Sequence, residues 1–314
     1  MYRKFFGLKE SPFSINPDPR YLFLTRQIQE ALACLIYGIQ TRKGFILLTG
    51  EVGTGKTTVL NKLLEWSHQE GVLTSFIFNP RLKESEFFDF MLADFGIPCD
   101  SQMKSRILIN LNEWLLKRYE AGQRAVLIID EAQNLSTDML EEVRLLTNLE
   151  TSTQKLLQIV LAGQPELDEK LNHPDLRQLR QRITLWAKTR PLTVLETHGY
   201  VMERMRIAGN SAGEVFSSEA IEAVNKYSHG IPRVINLLCE HALITAFVEQ
   251  HKVISEKIVQ EVARDFDLHE SLSSASALAT KIPANPGHPV LVDPLSGQKL
   301  GTGPYSRVAS EKKV

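Results

Sequence analysis

The sequence predicts an α/β protein in which a five-stranded parallel sheet is flanked by helices and followed by a small all-α domain. Short apolar runs alternate with helix-like segments up to about residue 190, and parallel strands need such crossover connections. After that point the periodicity is helical only. Beyond residue 268, Ser, Ala, Pro, Gly and Lys dominate with little periodicity, which predicts a disordered tail. We therefore expect domains at 1–190 and 191–268, and the tail at 269–314.

Composition restricts the class of protein. The 314 residues are enough for about two domains, and the formal net charge of -1 gives no broad electrostatic argument for nucleic acid or an acidic membrane as a partner. The scattered cysteines, Cys34, Cys99 and Cys239, predict neither a disulfide framework nor a metal site. No run reaches the roughly 18 to 20 apolar residues of a membrane span, and the N-terminus lacks the apolar core of a secretory signal. The expected location is the cytoplasm.

Apolar runs predict the strands of the sheet, at 45–49, 72–78, 125–129, 156–162 and 183–188. The third run contains no polar residue, so we expect a central strand that is buried on both faces. Helical spacing of apolar residues predicts the helices of the same domain. These helices lie at 26–43, directly after residue 57, at 84–95, at 103–120, and from a cap at Ser136 or Thr137 to about Glu150.

Four further helices are predicted after residue 190, again from the spacing of apolar residues. The first opens with Thr193-Val194-Leu195-Glu196, which fits a capping box, and Ser217 fits the cap of the second. The predicted ranges are 193–208, 217–228, 232–249 and 255–265.

The stretch Gly50-Glu51-Val52-Gly53-Thr54-Gly55-Lys56-Thr57 lies between the first predicted strand and a helix-like segment, which is the layout of a phosphate-binding P-loop. Glycines let backbone N–H groups converge on one anion, and the helix N-terminus adds its positive dipole end. We expect Lys56 to reach the β- and γ-phosphates of ATP and Thr57 to bind Mg²⁺. A glycine turn without function is the alternative, which the complete eight-residue pattern disfavours. The predicted ATP-binding residues are Gly50, Glu51, Val52, Gly53, Thr54, Gly55, Lys56, Thr57 and Thr58.

The third predicted strand is followed by Asp130-Glu131, the pattern of a Walker B motif. Ligands of a parallel sheet bind at the carboxyl ends of its strands, so we expect Asp130 to face Mg²⁺ beside Thr57. Glu131 is expected to orient or deprotonate the attacking water. An acidic strand-to-helix turn is the alternative. The second carboxylate favours hydrolysis over a kinase reaction, because a kinase must exclude water.

The tetrapeptide Asp130-Glu131-Ala132-Gln133 also fits a helicase box. A helicase of that class needs a second α/β lobe that closes on ATP. The residues after Pro191 are helical and too few to form such a lobe, so we disfavour this alternative.

Further polar positions follow from the predicted strand ends. Asn79 ends the second strand and is a candidate either to hold Glu131 away from water or to form a plain turn. Gln164 ends the fourth strand, where we favour sensing of the γ-phosphate over a plain turn. A guanidinium group pairs bidentately with phosphate oxygens. One arginine before the fifth strand is therefore a candidate arginine finger, a side chain that reaches the ATP of a neighbouring subunit. A solvated helix face is the alternative for each of Arg177, Arg180 and Arg182.

Residues 1–25 are rich in aromatic residues and proline. They predict no long helix, and they are too apolar for a disordered tail. We expect this segment to pack along the α/β core beside the nucleotide base.

The motifs occur in a characteristic order, and Gly230-Ile231-Pro232-Arg233 opens a helix of the all-α region. Together they resemble an AAA+ ATPase with Arg233 as the sensor-2 arginine. Within AAA+, the chain is most similar to the general secretion pathway protein A (ExeA-like) family, over about residues 1–266. The segments that carry the likeness are Phe5-Phe6-Gly7-Leu8, Pro12-Phe13, Pro17-Asp18-Pro19, Tyr21, 50–58, 130–135, 161–167 and 176–182.

The resemblance implies a P-loop NTPase of the AAA+ type with a helical lid, ATP and Mg²⁺ as ligands, and ring- or filament-like self-association. It assigns Gln164 to sensor 1, Arg233 to sensor 2 and Arg182, ahead of Arg180 or Arg177, to the arginine finger. Secretion members of the family continue into a transmembrane helix and a periplasmic peptidoglycan-binding domain and assist assembly of a secretin. We expect neither segment within these 314 residues. Related stand-alone ATPases are linked to exopolysaccharide export or to transposition.

The functional hypothesis is an oligomeric ATPase whose ATP cycle assembles or positions a secretion or envelope export complex. We expect a homo-oligomer, an unidentified protein partner from a secretion or polysaccharide export system, and peripheral association with the inner membrane through that partner. The alternative is a nucleotide-switched module for DNA or for a transposition partner. Its support in the sequence is weak, because the basic pairs Arg42-Lys43 and Arg204 with Arg206 are short. A third hypothesis is a scaffold with an inactive site.

Overall fold

The computed structural model of the chain describes residues 1–14, 19–78, 82–98, 103–209 and 215–269. Within these ranges, no helix is long and apolar enough to cross a membrane. Apart from His269, the predicted tail at 269–314 lies outside them.

Two compact units form the chain. One contains Leu32–Thr49 and Leu63–Ala187. The other contains Met1–Ala31, Gly50–Lys62 and the described residues from Lys188 onward. The domain boundaries given above, at about residues 190 and 268, stay a prediction.

The sheet consists of β1 Phe45–Thr49, β2 Leu73–Ile77, β3 Ala125–Ile129, β4 Leu157–Gly163 and β5 Ile183–Lys188. Its strand order is β2-β3-β4-β1-β5. The pairs β2–β3, β3–β4 and β4–β1 are parallel, and every side chain of β1, β3 and β4 is buried. Such strands are continuous apolar runs because helices cover both faces of a parallel sheet. The predicted α/β fold with a five-stranded parallel sheet is confirmed.

The helices agree with the predicted ones to within a few residues, except for three short ones that were not predicted, at Tyr2–Phe5, Pro165–Leu171 and Arg177–Arg182. Helices of four to seven residues hold too few apolar positions to show a period. The bounds of the described helices are α1 Tyr2–Phe5, α2 Arg26–Gln40, α3 Lys56–Gln69, α4 Glu84–Asp94, α5 Lys104–Glu120, α6 Thr137–Leu146, α7 Pro165–Leu171, α8 Arg177–Arg182, α9 Val194–Ile207, α10 Ser218–Ser228, α11 Pro232–Val248 and α12 Glu256–Asp265.

α6 is shorter than expected. It starts after the predicted cap, Ser136, but ends at Leu146 and not at Glu150. The Thr147 hydroxyl donates back to Arg144 O at 2.8 Å, and Glu150 forms an antiparallel bridge with a residue further along the chain. Thr147 and Asn148 therefore form a turn directly after the helix.

One apolar core holds the sheet against its helices. Leu127 and Ile129 of β3 lie in the same buried cluster as Phe87 of α4, Leu111 of α5 and Leu140 of α6. Burying a side chain of this size contributes about 1.5–3 kcal/mol relative to leaving it exposed. This packing fixes the carboxyl ends of β3 and β4, where polar residues follow.

The predicted caps of the helical region are confirmed. Thr193 Oγ1 accepts the Glu196 N–H at 3.2 Å, and Glu196 Oε2 accepts the Thr193 N–H at 2.9 Å. Ser217 Oγ accepts the Ala220 N–H at 3.2 Å. These bonds satisfy N–H groups that the first turns of α9 and α10 would otherwise leave without a partner.

The N-terminal residues pack against this helical region. The rings of Phe5 and Phe13 lie edge-on to those of Phe247 and Phe216, and all of these residues share one apolar cluster. α1 is four residues long, in agreement with the expectation of no long helix. In the described residues these aromatic side chains cover apolar surface of the helices, and the expected packing along the α/β core beside the nucleotide base stays a prediction.

Candidate functional site

Residues 50–55 form the turn between β1 and α3, which begins at Lys56. Gly53 has a φ of 82°, a region that favours glycine. A Cβ at Gly53 would lie 2.8 Å from Arg233 Cβ and 3.0 Å from Ile231 Cγ2. The loop therefore requires glycine at this position for its backbone conformation and for its close neighbours.

The ammonium of Lys56 lies across the start of this loop, and the residue is only 5% exposed. Its Nζ donates to Gly50 O at 2.7 Å and to Glu51 O at 3.0 Å. These bonds hold a positive charge close to the N–H groups at the start of α3. A cation beside a helix N-terminus favours a phosphate group. The residues present therefore fit the phosphates of a nucleotide.

A contact between Thr54 and Thr189 was not predicted from the sequence. The two hydroxyl oxygens lie 2.7 Å apart, and Thr54 Oγ1 donates to Glu51 O at 2.7 Å. Thr189 must then be the donor to Thr54, since one hydroxyl carries one proton. A Cβ at Gly50 would lie 2.0 Å from Thr189 Oγ1. The sequence signal for Thr189 is its place directly after β5.

Replacing Thr189 by Val keeps the shape of the side chain and removes the hydroxyl. Thr54 then loses its donor in a buried position, which costs about 1–3 kcal/mol, so the loop holds its geometry less well. We expect the Kd of ATP to rise about 5- to 20-fold with kcat little changed, and Thr189→Ser to stay within about twofold of wild type. Calorimetric titration with a non-hydrolysable ATP analogue measures the difference. Equal affinities of the two variants would count against a role for the hydroxyl.

Arg233, the predicted sensor-2 residue, stands at the start of α11, where its N–H donates to Gly53 O at 3.3 Å. Its side chain is partly buried, and this burial lowers the pKa of the guanidinium below its usual value. A guanidinium still stays protonated at neutral pH. The structure thus brings a positive charge to the P-loop, and the sensor role stays a prediction.

Asp130 and Glu131 follow β3 at the carboxyl edge of the sheet. Asp130 is 5% exposed, and its Oδ1 accepts the Glu131 N–H at 2.9 Å. Its own N–H donates to Ile77 O at the end of β2. Glu131 has a φ of 53°, which costs a residue with a Cβ about 1–2 kcal/mol. The sharp turn leaves Asp130 buried and Glu131 half-buried.

Glu131 and Gln164, which were predicted independently, are in contact. Gln164 follows β4, and its Nε2 donates to Glu131 Oε2 at 3.0 Å. Gln133 Nε2 donates to the same oxygen at 2.5 Å, and Gln133 Oε1 accepts the Gln164 N–H at 3.2 Å. No role was predicted for Gln133, although its place two residues after Glu131 was a signal. Three polar side chains from adjacent strand ends therefore form one hydrogen-bonded group.

A magnesium ion in a P-loop site is held by few protein oxygens, together with phosphate and water. In the part of the chain that the structure describes, no cluster of three His, Cys, Asp or Glu side chains could hold a metal by itself. The buried carboxylate of Asp130 and the hydroxyl of Thr57, in the first turn of α3, are oxygen ligands of the kind that Mg²⁺ prefers. These residues fit nucleotide-bound Mg²⁺, and the approach of Asp130 to Thr57 stays a prediction.

The candidate arginine fingers lie on α8. Arg182 Nη1 donates to Thr147 Oγ1 at 3.3 Å, and the Arg180 guanidinium lies 5.5 Å from the centre of the Trp186 ring. Arg182 is half-buried and Arg180 is exposed. Arg182 is thus held by a hydrogen bond within the chain, and its assignment as the finger stays a prediction.

Arg177 and Asn79 are the remaining predicted residues. Arg177, at the start of α8, is exposed. Asn79 lies outside the described residues, so its relation to Glu131 stays a prediction.

Comparisons with a family model and with curated proteins each give a match. A family model described as an AAA domain matches residues 39–171. General secretion pathway protein A of Aeromonas hydrophila is 46% identical over 256 residues, which make up 81% of this chain and 46% of that protein. The chain therefore spans less than half the length of this curated relative.

Solved structures share the fold at low sequence identity. CDC6P of Pyrobaculum aerophilum has a TM-score of 0.61 at 18% identity, over 81% of this chain and 70% of that chain. The ORC2 protein of Aeropyrum pernix, in its ADPNP–ADP complexes, has a TM-score of 0.59 at 16% identity, over 82% of this chain and 72% of that chain. The likeness shows the AAA+ fold alone. The chain thus has the AAA+ fold, carries an AAA domain and is a homologue of general secretion pathway protein A.

Proposed function

We propose that this chain binds ATP with Mg²⁺ and hydrolyses it to ADP and phosphate. The observation that carries hydrolysis is the Glu131 carboxylate, which follows β3 and accepts hydrogen bonds from Gln133 and Gln164. Binding is supported by Lys56 at the start of α3. A carboxylate that two amides orient is suited to receive a proton from water.

Each residue has a defined part in this reaction. Lys56 and the N–H groups of the loop hold the phosphates, and Thr57 with Asp130 would hold Mg²⁺, which neutralises phosphate charge when bound. Glu131 accepts a proton from the attacking water as the oxygen of this water bonds to the γ-phosphorus of ATP. The bond from this phosphorus to the β,γ-bridging oxygen breaks, and ADP leaves with its electron pair. Gln164 is proposed to contact the γ-phosphate.

We further propose that the ATPase works as a homo-oligomer and serves to assemble or position a secretion or envelope export complex. The 46% identity to general secretion pathway protein A supports this assignment. Association with a protein partner at the cytoplasmic side of the inner membrane belongs to the same proposal. An arginine on α8 would reach the ATP of the neighbouring subunit, and Arg233 would contact ATP in its own subunit.

Mixing two inactive variants tests the shared site. Lys56→Ala binds ATP weakly and does not hydrolyse it but keeps its arginines, and Arg182→Ala binds ATP but lacks the proposed finger. We expect specific ATPase activity of the wild type to rise with protein concentration, and an equimolar mixture of the variants to recover about a quarter of wild-type kcat, because some subunits pair an intact P-loop with an intact finger. Phosphate release measures both effects.

The same mixing experiment is repeated with Arg180→Ala and with Arg177→Ala. Recovery with one of these in place of Arg182→Ala would reassign the finger. No recovery with any of the three, together with activity that is independent of protein concentration, would contradict a site shared between subunits.

The client is identified by capture on a form that binds ATP without turning it over. Glu131→Gln and Lys56→Ala proteins are used as paired baits. Envelope or export proteins retained only by Glu131→Gln would support the assembly role. Retention of duplex DNA by that form, with strong salt dependence, would favour the DNA-binding alternative instead.

A further inference from the structure

Gln133 connects the two strand ends that carry Glu131 and Gln164. Its Nε2 donates to Glu131 Oε2 at 2.5 Å, and its Oε1 accepts the Gln164 N–H at 3.2 Å. A flip of the amide would break both bonds, because it would place a donor against a donor and an acceptor against a carboxylate. The two neighbours therefore fix the orientation of this side chain.

The backbone of Gln133 is anchored by the helix that follows Gln164. Lys170 on α7 donates from Nζ to Gln133 O at 2.7 Å and to Leu135 O at 2.6 Å. The ammonium is partly buried, so these bonds are less exposed to competing water. One short helix thus holds the turn after β3 in a defined place beside the end of β4.

Gly163, the last residue of β4, provides the space for the Gln133 amide. A Cβ at this position would lie 2.7 Å from Gln133 Oε1 and 2.8 Å from Leu167 Cδ2. Gly163 is not among the glycines with a positive φ, so the requirement here is steric and not conformational. The amide is therefore closely confined between Gly163 and Glu131.

We propose that Gln133 is a positioning residue for hydrolysis, which holds the Glu131 carboxylate together with Gln164. This inference rests on the proposed ATPase function. Both amides bind Oε2, which assigns the proton of the attacking water to Oε1. The proton moves to Oε1 as the water oxygen bonds to the γ-phosphorus and the bond to the ADP oxygen breaks. Gln133 touches neither ATP nor water in this account and acts through Glu131.

Replacing Gln133 by Ala tests the proposal. We expect kcat for ATP hydrolysis to fall about 10- to 30-fold, a fraction of the full contribution of a general base, while the KM and Kd of ATP stay within about twofold. Asn134→Ala is the matched control, because Asn134 lies in the same turn with an exposed side chain, and it should keep wild-type kcat. The melting temperature of each variant shows whether the fold is intact.

Gly163→Ala provides a second route to the same effect. Its new methyl group should displace the Gln133 amide and lower kcat by a similar factor. In the Gln133→Ala background the amide is absent, so adding Gly163→Ala should lower kcat less than it does in the wild type. Such non-additivity would show that both changes act on one contact, and fully additive losses would contradict it.

The outcomes separate this inference from the proposed function. If Glu131→Gln abolishes turnover but Gln133→Ala keeps wild-type kcat, the positioning role is refuted and the ATPase assignment stands. If Gln133→Ala raises the Kd of ATP as much as it lowers kcat, the positioning role is refuted as well. If Glu131→Gln keeps wild-type turnover, the proposed catalytic function itself fails.

Discussion

Replacing Glu131 by Gln is expected to lower kcat for ATP hydrolysis about 100-fold or more and to leave the Kd of ATP within about threefold. The amide has nearly the same shape as the carboxylate but cannot accept a proton from water. Glu131 stands after β3, whereas the residues predicted to bind phosphate lie in the P-loop and at the start of α3. Binding and turnover should therefore separate in this variant.

Glu166→Gln is the matched control. It makes the same chemical change at an exposed residue in the first turn of α7, close in sequence to Gln164. We expect wild-type kcat from this control. Phosphate release under saturating ATP measures kcat, and fluorescence titration with a labelled nucleotide measures the Kd. Wild-type turnover in Glu131→Gln would show that another group handles the water.

Replacing Lys56 by Ala is expected to raise the Kd of ATP about 10- to 100-fold and to abolish measurable hydrolysis. Charge-assisted hydrogen bonds contribute about 1.5–3 kcal/mol, and the variant loses the bonds to phosphate. It also loses the bonds from Nζ to Gly50 O and Glu51 O, so the loop itself becomes less ordered. Nucleotide binding and turnover should both fall.

An exposed lysine serves as the control for this change. Lys257→Ala lies on α12, where the lysine side chain is 83% exposed beside Glu261. It should bind ATP with wild-type affinity. Equal affinities of the Lys56→Ala and Lys257→Ala proteins for ATP would show that the P-loop is not the nucleotide site.

Much of the fold was predictable because the signals are local. The apolar run of β3, the capping box of Thr193 with Glu196 and the eight residues of the P-loop each determine their own segment. The placement of Glu131 and Gln164 at one sheet edge also follows from topology, since β3 and β4 are neighbours and parallel. These predictions need no knowledge of side-chain packing.

The contacts that the sequence did not reveal join distant segments. Thr54 and Thr189 are 135 positions apart, and Gln133 and Gln164 are 31 positions apart. Hydrogen bonds of this kind depend on the exact course of two chain segments, which neither propensity nor periodicity specifies. The same reason explains why the contacts of Phe5 with Phe247 and of Phe13 with Phe216 were not predicted.

We propose that the chain binds ATP through its P-loop and hydrolyses it with the help of Glu131. This proposal is tested most directly by measuring phosphate release and ATP binding of the wild-type protein over a range of protein concentrations, with Mg²⁺ and with a chelator. We expect saturable ATP binding and phosphate release that requires Mg²⁺ and disappears in Lys56→Ala. An absence of ATP binding at millimolar nucleotide, or release that persists unchanged in Lys56→Ala, would contradict the account.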